Sequence, residues 1–368
     1  MLGKLGLGKL LLFVVVVLAT APTAFANEPP ERALELDFLG QQIFPTATTF
    51  EGTAFGGLSG FDYDARRKVY YALSDDQVGA RFYTLRIDVK HGAPSVQIVG
   101  VTTLRDAAGT PFAALSLDPE GLTLTEKGTL VLTSEGFATR LIDPWVREFS
   151  LDGRQIGEFP VPAYFSPDAA GTQGVRQNLG FESAAVTPNG RYLFTGTEAA
   201  LVQDGPAATV GGGSPARILR YDPRKRTLDR QFVYRTDAIA EPPVPSTQFA
   251  VSGLVELLAL DKDSLLAMER SFSVGAPGTG NTIRLYQVEL GRADDVNGFD
   301  SLATLIPAPV PATKTLLLDL KTLGIPLDNV EGMTFGPWLR DGRRSLVLVS
   351  DNNFSPAAFT QFLFFAVR

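Results

Sequence analysis

The chain of 368 residues contains no cysteine and one histidine. Without cysteine there can be no disulfide, no thiolate nucleophile and no zinc–sulfur site. His91 lies between Lys90 and Gly92 in a segment that is predicted to be an exposed turn. A Ser-His-Asp triad or a histidine-ligated transition metal would then lack its key residue. Any chemistry must therefore use carboxylates, amides, hydroxyls, Arg or Lys side chains and a hard cation.

A long apolar run is found only near the start of the chain. Lys4 and Lys9 precede the apolar run from Leu10 to Leu18, and the small-x-small pattern Ala24-Phe25-Ala26 follows it. This order predicts a secretory signal peptide over residues 1–26, because the run is too short to span a bilayer comfortably. We expect residues 27–368 to form a single domain in the periplasm or outside the cell, without membrane attachment after cleavage.

An excess of positive charge is also missing, since 40 acidic residues outnumber 33 Lys and Arg residues. Nucleic acids and anionic lipids need a basic protein surface, so neither is expected as a partner. A surplus of carboxylates is typical of a protein that binds cations.

Helical periodicity is nearly absent, and short β-rich runs separated by turn signals take its place. Lys68–Leu73, Thr129–Thr133 and Arg191–Thr195 are three such runs. Many short strands with regular turns favour a sandwich, a barrel or a propeller.

An internal repeat decides among these folds. Five segments begin with Ser or Glu, continue through an apolar run and a turn, and end in a strand that finishes on an acid; they start at Ser59, Glu120, Glu182, Ser252 and Glu331. Each interval has room for four strands, which is the size of a propeller blade. The sequence thus predicts an all-β protein, a β-propeller of about five to six blades, with a sandwich as the alternative fold. Residues 362–367 are expected to close the ring against residues 34–38 and so remove an open apolar edge.

The innermost strands of a propeller line its channel, so equivalent positions in the repeats should meet there. Glu120, Glu182 and Glu331 would lie at one level, with Ser59 and Ser252 in the equivalent places. A second set of acids ends the following strands: Asp75, Glu135, Glu198, Glu269 and Asp351. Crowded carboxylates need either raised pKa values or a cation, and calcium binds six to eight oxygen ligands. We therefore predict a calcium site with the following ligands: Glu120, Glu182, Asn329, Glu331, Asp351 and Asn352. The simpler interpretation is that each acid caps a turn or faces solvent.

Four motifs resemble the phytase-like, esterase-like family of exported bacterial proteins: Asp118-Pro119-Glu120-Gly121-Leu122, Asn178-Leu179-Gly180-Phe181-Glu182-Ser183, Asp328-Asn329-Val330-Glu331-Gly332-Met333 and Ser350-Asp351-Asn352-Asn353-Phe354. The resemblance extends from about Phe55 to Arg368. It implies a propeller and a calcium-assisted hydrolase that acts on phosphate or other esters.

The expected substrate is a small anionic or ester molecule. Glu331 or Glu182 would take the proton of the attacking water, and Arg140, Arg176 and Arg270 would bind the anionic group. Two alternatives stay open: a lactonase or arylesterase that uses the same calcium, and a non-catalytic binding propeller in which calcium is structural. Neither a phosphate-binding P-loop motif nor an HExxH zinc motif is present.

Overall fold

The computed structural model describes residues 1–3, 34–89 and 94–368. Residues 34–368 form one compact unit. The predicted signal peptide, apart from its first three residues, and His91 lie outside the described residues. The predicted domain boundary at residue 27 lies there too. No helix in the described part of the chain is both long enough and apolar enough to cross a bilayer.

β-Strands make up about half of the chain, 49%, and only 4% is helical. In chain order they are β1 (Leu36–Pro45), β2 (Thr49–Phe50), β3 (Thr53–Ala54), β4 (Leu58–Asp64), β5 (Val69–Ser74), β6 (Arg81–Asp88), β7 (Ser95–Thr103), β8 (Pro119–Leu124), β9 (Leu130–Ser134), β10 (Trp145–Phe149), β11 (Gln155–Phe159), β12 (Ala185–Val186), β13 (Leu193–Gly196), β14 (Pro215–Asp222), β15 (Thr227–Arg235), β16 (Ala250–Ala259), β17 (Ser264–Ser273), β18 (Asn281–Glu289), β19 (Thr313–Asp319), β20 (Asn329–Trp338), β21 (Arg344–Asp351) and β22 (Phe359–Val367). Short 3-10 helices occupy Ala138–Arg140, Ala163–Phe165, Val202–Asp204 and Leu320–Leu323.

These strands form five four-stranded antiparallel sheets arranged in a ring, which is a β-propeller. Blade 1 comprises β4–β7, blade 2 β8–β11, blade 3 β12–β15, blade 4 β16–β19, and blade 5 β20–β22 together with β1. The strands β2 and β3 form a separate hairpin. The prediction of an all-β propeller is confirmed, with the lower of the two predicted blade numbers. The wider spacing of the late repeats reflects long loops, such as the one between β18 and β19.

The ring closes through strands from the two ends of the described unit. The first strand, β1, pairs antiparallel with β22, with Leu36 opposite Val367 and Phe38 opposite Phe365. This closure, predicted from the sequence, gives blade 5 its fourth strand. It also covers the edge of a strand whose residues are almost all buried, which would otherwise invite pairing with another chain.

The hydrophobic core lies between neighbouring blades. Successive side chains of a strand point to opposite faces of its sheet, and β5 has both faces buried. Tyr71 and Leu73 pack with Leu132 of blade 2, whereas Tyr70 and Ala72 pack with residues of blade 5. Because each blade is covered on both faces, its central strands are continuous apolar runs without alternation.

Candidate metal and active site

The inner strands β4, β8, β12, β16 and β20 contact one another in sequence around the ring. One mouth of the channel that they enclose opens into a cavity of about 980 Å³. Nine acidic residues, here called the acid ring, line this cavity: Asp75, Asp118, Glu120, Glu135, Glu182, Glu198, Asp328, Glu331 and Asp351. Arg270 is the single basic residue among the described residues of the lining. The cavity therefore concentrates negative charge from four of the five blades.

A local irregularity of the inner strands directs the glutamates inward. The pairing register shifts between Pro119 and Leu122 in β8, and between Val330 and Gly332 in β20. Such β-bulges bend a strand and re-aim a side chain. The glycine after the glutamate is needed for space, since a Cβ on Gly121 would lie 2.5 Å from the carbonyl carbon of Ser183 in the next blade. The Glu-Gly pattern thus combines an inward carboxylate with close contact between blades.

The acids that follow the second strands are positioned by recurring backbone hydrogen bonds. In three blades the N–H of the acid donates to a carbonyl two residues before the Ser or Glu of the inner strand: Asp75 to Gly57 at 2.8 Å, Glu135 to Asp118 at 3.0 Å and Glu198 to Gly180 at 2.7 Å. In blade 5 the corresponding residue, Asp351, pairs with Asn329. In blades 2, 3 and 5 the second acid therefore lies beside the first, and in blade 1 Asp75 lies beside the segment that carries Ser59.

Blade 4 departs from the repeat. Its register shift falls between Leu254 and Glu256, and Arg270 pairs with Gly253. Glu269 does not line the cavity. Its carboxylate accepts hydrogen bonds of 2.7 Å from the Tyr234 hydroxyl and from the N–H of Asp237, and it pairs with Lys314. Ser252 lines a separate small recess together with Glu269. The expectation that both residues join the ring is wrong, because the later bulge reverses which side chains face the channel.

The spacing of the carboxylate oxygens suits a metal ion. Two overlapping triads, Asp118–Glu120–Glu135 and Glu135–Glu182–Glu198, each offer oxygens within 4.8 Å of one another. Calcium–oxygen distances of about 2.3–2.6 Å place ligand oxygens no more than about 5 Å apart. Buried oxygens without a hydrogen-bond partner occur in the same cavity, on Asp75 (Oδ1) and Glu198 (Oε1). The donor set consists of oxygens and fits calcium.

Burial raises the pKa values of several carboxyls of the acid ring. It raises the pKa of Asp118 to about 6, of Glu198 to about 7, and of Glu135 and Asp351 to about 8. Neighbouring carboxylates add to this effect, as Glu331 does for Asp351. Burial alone would lower the pKa of Arg270, but the carboxylates of Glu198 and Glu331 hold it above its ordinary value. At neutral pH the ring must therefore retain protons or bind cations.

Five of the six predicted metal ligands line the cavity: Glu120, Glu182, Asn329, Glu331 and Asp351. The sixth, Asn352, lies behind it, where its amide oxygen accepts hydrogen bonds from the N–H groups of Gly57 (3.1 Å) and Phe354 (3.0 Å). Its side-chain nitrogen donates to Thr360. The polar atoms of Asn352 thus bind protein groups.

Of the three arginines predicted to bind substrate, the structure brings only Arg270 to the site. Its Nη2 lies 2.7 Å from Oε1 of Glu331 and 3.5 Å from Oε1 of Glu198. Arg140 is exposed, outside the lining, and donates to the carbonyl of Leu115. Arg176 is also outside the lining and donates to the carbonyls of Ala200 (3.1 Å) and Gly205 (2.7 Å).

Several lining residues are absent from the predicted ligand set. Asp75, Glu135 and Glu198 were identifiable as strand-end acids of the repeat, and Asp118 stands two residues before Glu120. The apolar residues Phe249, Val251 and Phe272 also line the cavity. No motif marks these three, because their inward direction depends on the register of blade 4.

The chain is also similar to solved structures. A tail fiber of Staphylococcus aureus phage P68 is 10% identical with a TM-score of 0.40, covering 90% of this chain and 52% of the phage chain. This chain therefore spans about half the length of that protein. The endo-arabinase from Bacteroides thetaiotaomicron VPI-5482 is 12% identical, with a TM-score of 0.42 and 90% and 96% coverage. An alpha-L-arabinofuranosidase from Lactobacillus brevis is 12% identical, with a TM-score of 0.42 and 84% and 90% coverage.

No curated protein matches the chain. A family match nevertheless covers most of its length. Residues 53–354 match the family described as Phytase-like: Esterase-like activity of phytase, and the chain therefore belongs to this family.

Proposed function

We propose that the protein is an exported, calcium-assisted hydrolase that acts on phosphate or other esters of small molecules. The observation that carries this proposal is the acid ring itself. Among the described residues, nine carboxyl groups and a single arginine line one cavity of about 980 Å³. Calcium takes six to eight oxygen ligands, and carboxylates can supply them singly or in pairs. A cavity of this size is in the range that accommodates small ligands.

The residues proposed to hold calcium are those that offer cavity-facing oxygens. Glu120, Glu182, Asn329, Glu331 and Asp351 are retained from the sequence prediction, and the two triads add Asp118, Glu135 and Glu198. Glu135 belongs to both triads, so it would be a ligand whichever triad held the ion. Asn352 is left out, because its oxygen already accepts two backbone N–H groups. When bound, calcium supplies a positive charge that polarises the ester and a coordinated water.

The residues of the chain supply the remaining parts of hydrolysis. Glu182 takes a proton from the attacking water, whose oxygen forms the new bond to phosphorus or to the acyl carbon. The ester bond to the alcohol breaks, and the alcohol leaves with the proton that Glu182 took from the water, which restores the carboxylate. Glu331 is less suited as the base because its Oε1 already accepts the 2.7 Å hydrogen bond from Arg270. Arg270, the one basic residue among the described residues of the lining, is proposed to bind the anionic group of the substrate.

The decisive experiment is a calcium-dependent ester panel. The purified protein is assayed on 4-nitrophenyl phosphate, inositol hexakisphosphate, 4-nitrophenyl acetate and a lactone, with calcium or with a chelator. Turnover that requires calcium and falls at least 100-fold in Glu182→Gln supports the proposal. The exposed surface variant Glu158→Gln serves as the charge-matched control and should retain wild-type activity.

Two results would contradict this function. Activity confined to lactones would assign the site to the lactonase alternative. A calcium-dependent rise in thermal stability without turnover of any ester would make the protein a binding propeller. Export has its own test, since N-terminal sequencing of protein recovered outside the cytoplasm should begin at Asn27.

A further inference from the structure

One side of the cavity is apolar, and it belongs to the blade that lacks a carboxylate in the ring. Phe249, Val251 and Phe272, here called the apolar face, line the cavity beside Arg270. Val251 pairs with Phe272 across β16 and β17, and Gly253 pairs with Arg270. Side chains two residues apart on a strand share a face. Phe272 is therefore the next residue of β17 after Arg270 whose side chain faces the cavity. The apolar face therefore begins where the acid ring ends.

The apolar face is open to a ligand. Phe249 is 62% exposed, and its ring centroid lies 6.3 Å from that of Phe272 with an interplanar angle of 42°. Phe272 and Val251 are half-buried. Aromatic side chains left in contact with water beside a polar site commonly mark the place where an apolar group of a ligand binds.

The charge of the cavity limits how many charges the polar end of the ligand can carry. Arg270 is the only basic residue among the described residues of the lining, and its Nη2 already contacts Glu331 at 2.7 Å. A ligand with many negative charges would need several bound cations, because the described lining supplies one arginine beside nine acidic residues. A ligand with one anionic or ester group needs only the bound cation and Arg270.

We propose that the substrates are monoesters with an aryl or other bulky apolar alcohol group, which packs on the apolar face while the ester group lies at the acid ring. This inference rests on the proposed hydrolase function and names its substrate class. Inositol polyphosphates, which carry many charges and no apolar surface, are excluded as preferred substrates.

The test compares an aryl with a methyl substrate in the same variants. The values of kcat/KM are measured for 1-naphthyl phosphate and methyl phosphate in the wild type, in Phe249→Ala, in Phe272→Ala and in the double variant. Loss of the aromatic contact should reduce kcat/KM for the naphthyl ester about tenfold or more in the double variant. Hydrolysis of methyl phosphate should stay within twofold of the wild type. Trp338→Ala is the control, because Trp338 is 71% exposed and lines a different cavity.

A binding measurement separates this inference from the function on which it rests. The affinity of phenylphosphonate, which has no ester bond to hydrolyse, is measured by calorimetry in the presence of calcium. A Kd at least tenfold higher in the double variant, with methylphosphonate unaffected, supports the apolar face even if no ester is turned over. The same naphthyl-to-methyl ratio in the double variant and the wild type would overturn it. A wild-type preference for inositol hexakisphosphate over 1-naphthyl phosphate would overturn it as well.

Discussion

The acid ring should make stability depend on both pH and calcium, in opposite directions. Burial raises the pKa of Glu198 from 4.5 to about 7 and that of Glu135 from 4.5 to about 8. A carboxyl with a raised pKa holds its proton in the folded protein at a pH where the unfolded chain has released it. The folded state then binds more protons, so its stability falls as pH rises from about 4.5 to about 8.

The size of this effect is comparable to that of a bound cation. One pH unit of pKa difference corresponds to about 1.4 kcal/mol, so either group alone contributes roughly 3–5 kcal/mol. Calcium at about 1,000 times its Kd stabilises the folded state by about 4 kcal/mol. In a domain of this size that corresponds to a change in Tm on the order of 10 °C. One calcium ion should therefore recover at pH 8 about as much stability as one such carboxyl loses.

Glu135→Gln makes this prediction specific, because Glu135 belongs to both triads. The amide removes a buried carboxyl that must ionise at pH 8, so the calcium-free variant should melt several degrees above the wild type. It also removes a proposed metal ligand, so the rise in Tm on adding calcium should shrink by at least half. Glu158→Gln removes an exposed carboxylate, 3.4 Å from Arg147, and should change neither quantity.

The assay is differential scanning fluorimetry at pH 5.5 and pH 8, each with a chelator or with millimolar calcium. A calcium-free Tm that is unchanged or higher at pH 8 would refute the reasoning about the carboxyls. An undiminished calcium response in Glu135→Gln would place the metal elsewhere.

Three further predictions concern the architecture around the ring. Arg270→Met should destabilise the calcium-free protein by about 3 kcal/mol at pH 8, measured by urea unfolding, because Glu331 and Glu198 lose their cation; an equal loss at pH 5.5 would contradict the electrostatic cause. Gly121→Ala should lower the free energy of unfolding by about 2–3 kcal/mol, since the new Cβ would lie 2.5 Å from the backbone of Ser183. Gly211→Ala is the control and should be neutral in the same assay, because a Cβ there would have nothing closer than 3.9 Å. A chain that begins at residue 46 should form larger species in size-exclusion chromatography than one that begins at residue 34, because removing β1 exposes β22; identical monomers would show that closure is dispensable.

The fold could be predicted from the sequence because its signals are local and repeated. Each blade carries the same order of Ser or Glu, apolar run, turn and acid, and a ring of such repeats needs its two ends to pair. The long strand Phe359–Val367 is too apolar to remain an edge, which is why the pairing of β1 with β22 was predictable. The spacing of the repeats predicts five or six blades and no single number, because a long loop and an extra sheet lengthen the interval in the same way.

The site was predictable only where the repeat is regular. Glu120, Glu182 and Glu331 follow directly from repeat equivalence, and Asp351 from its place at the strand end. Arg140 and Arg176 are predicted to bind substrate because they are near the motifs in sequence. Their guanidinium groups instead bind backbone carbonyls of neighbouring loops, and nothing in the sequence indicates such contacts. The strand register of blade 4 could not be predicted from the sequence either. A shift of one residue reverses which side chains face the channel.

Because blade 4 differs from the other four blades, one side of the cavity differs chemically from the rest. If all five blades had supplied carboxylates, a substrate could bind a central cation in five equivalent orientations. Blade 4 replaces its carboxylate with Arg270 and continues outward with Phe272, Val251 and Phe249. A ligand that is anionic at one end and apolar at the other can satisfy the cation, the guanidinium and the aromatic rings in one orientation only. Since the proposed hydrolysis requires a fixed approach of water to the ester, the break in the repeat is the feature that would make it selective.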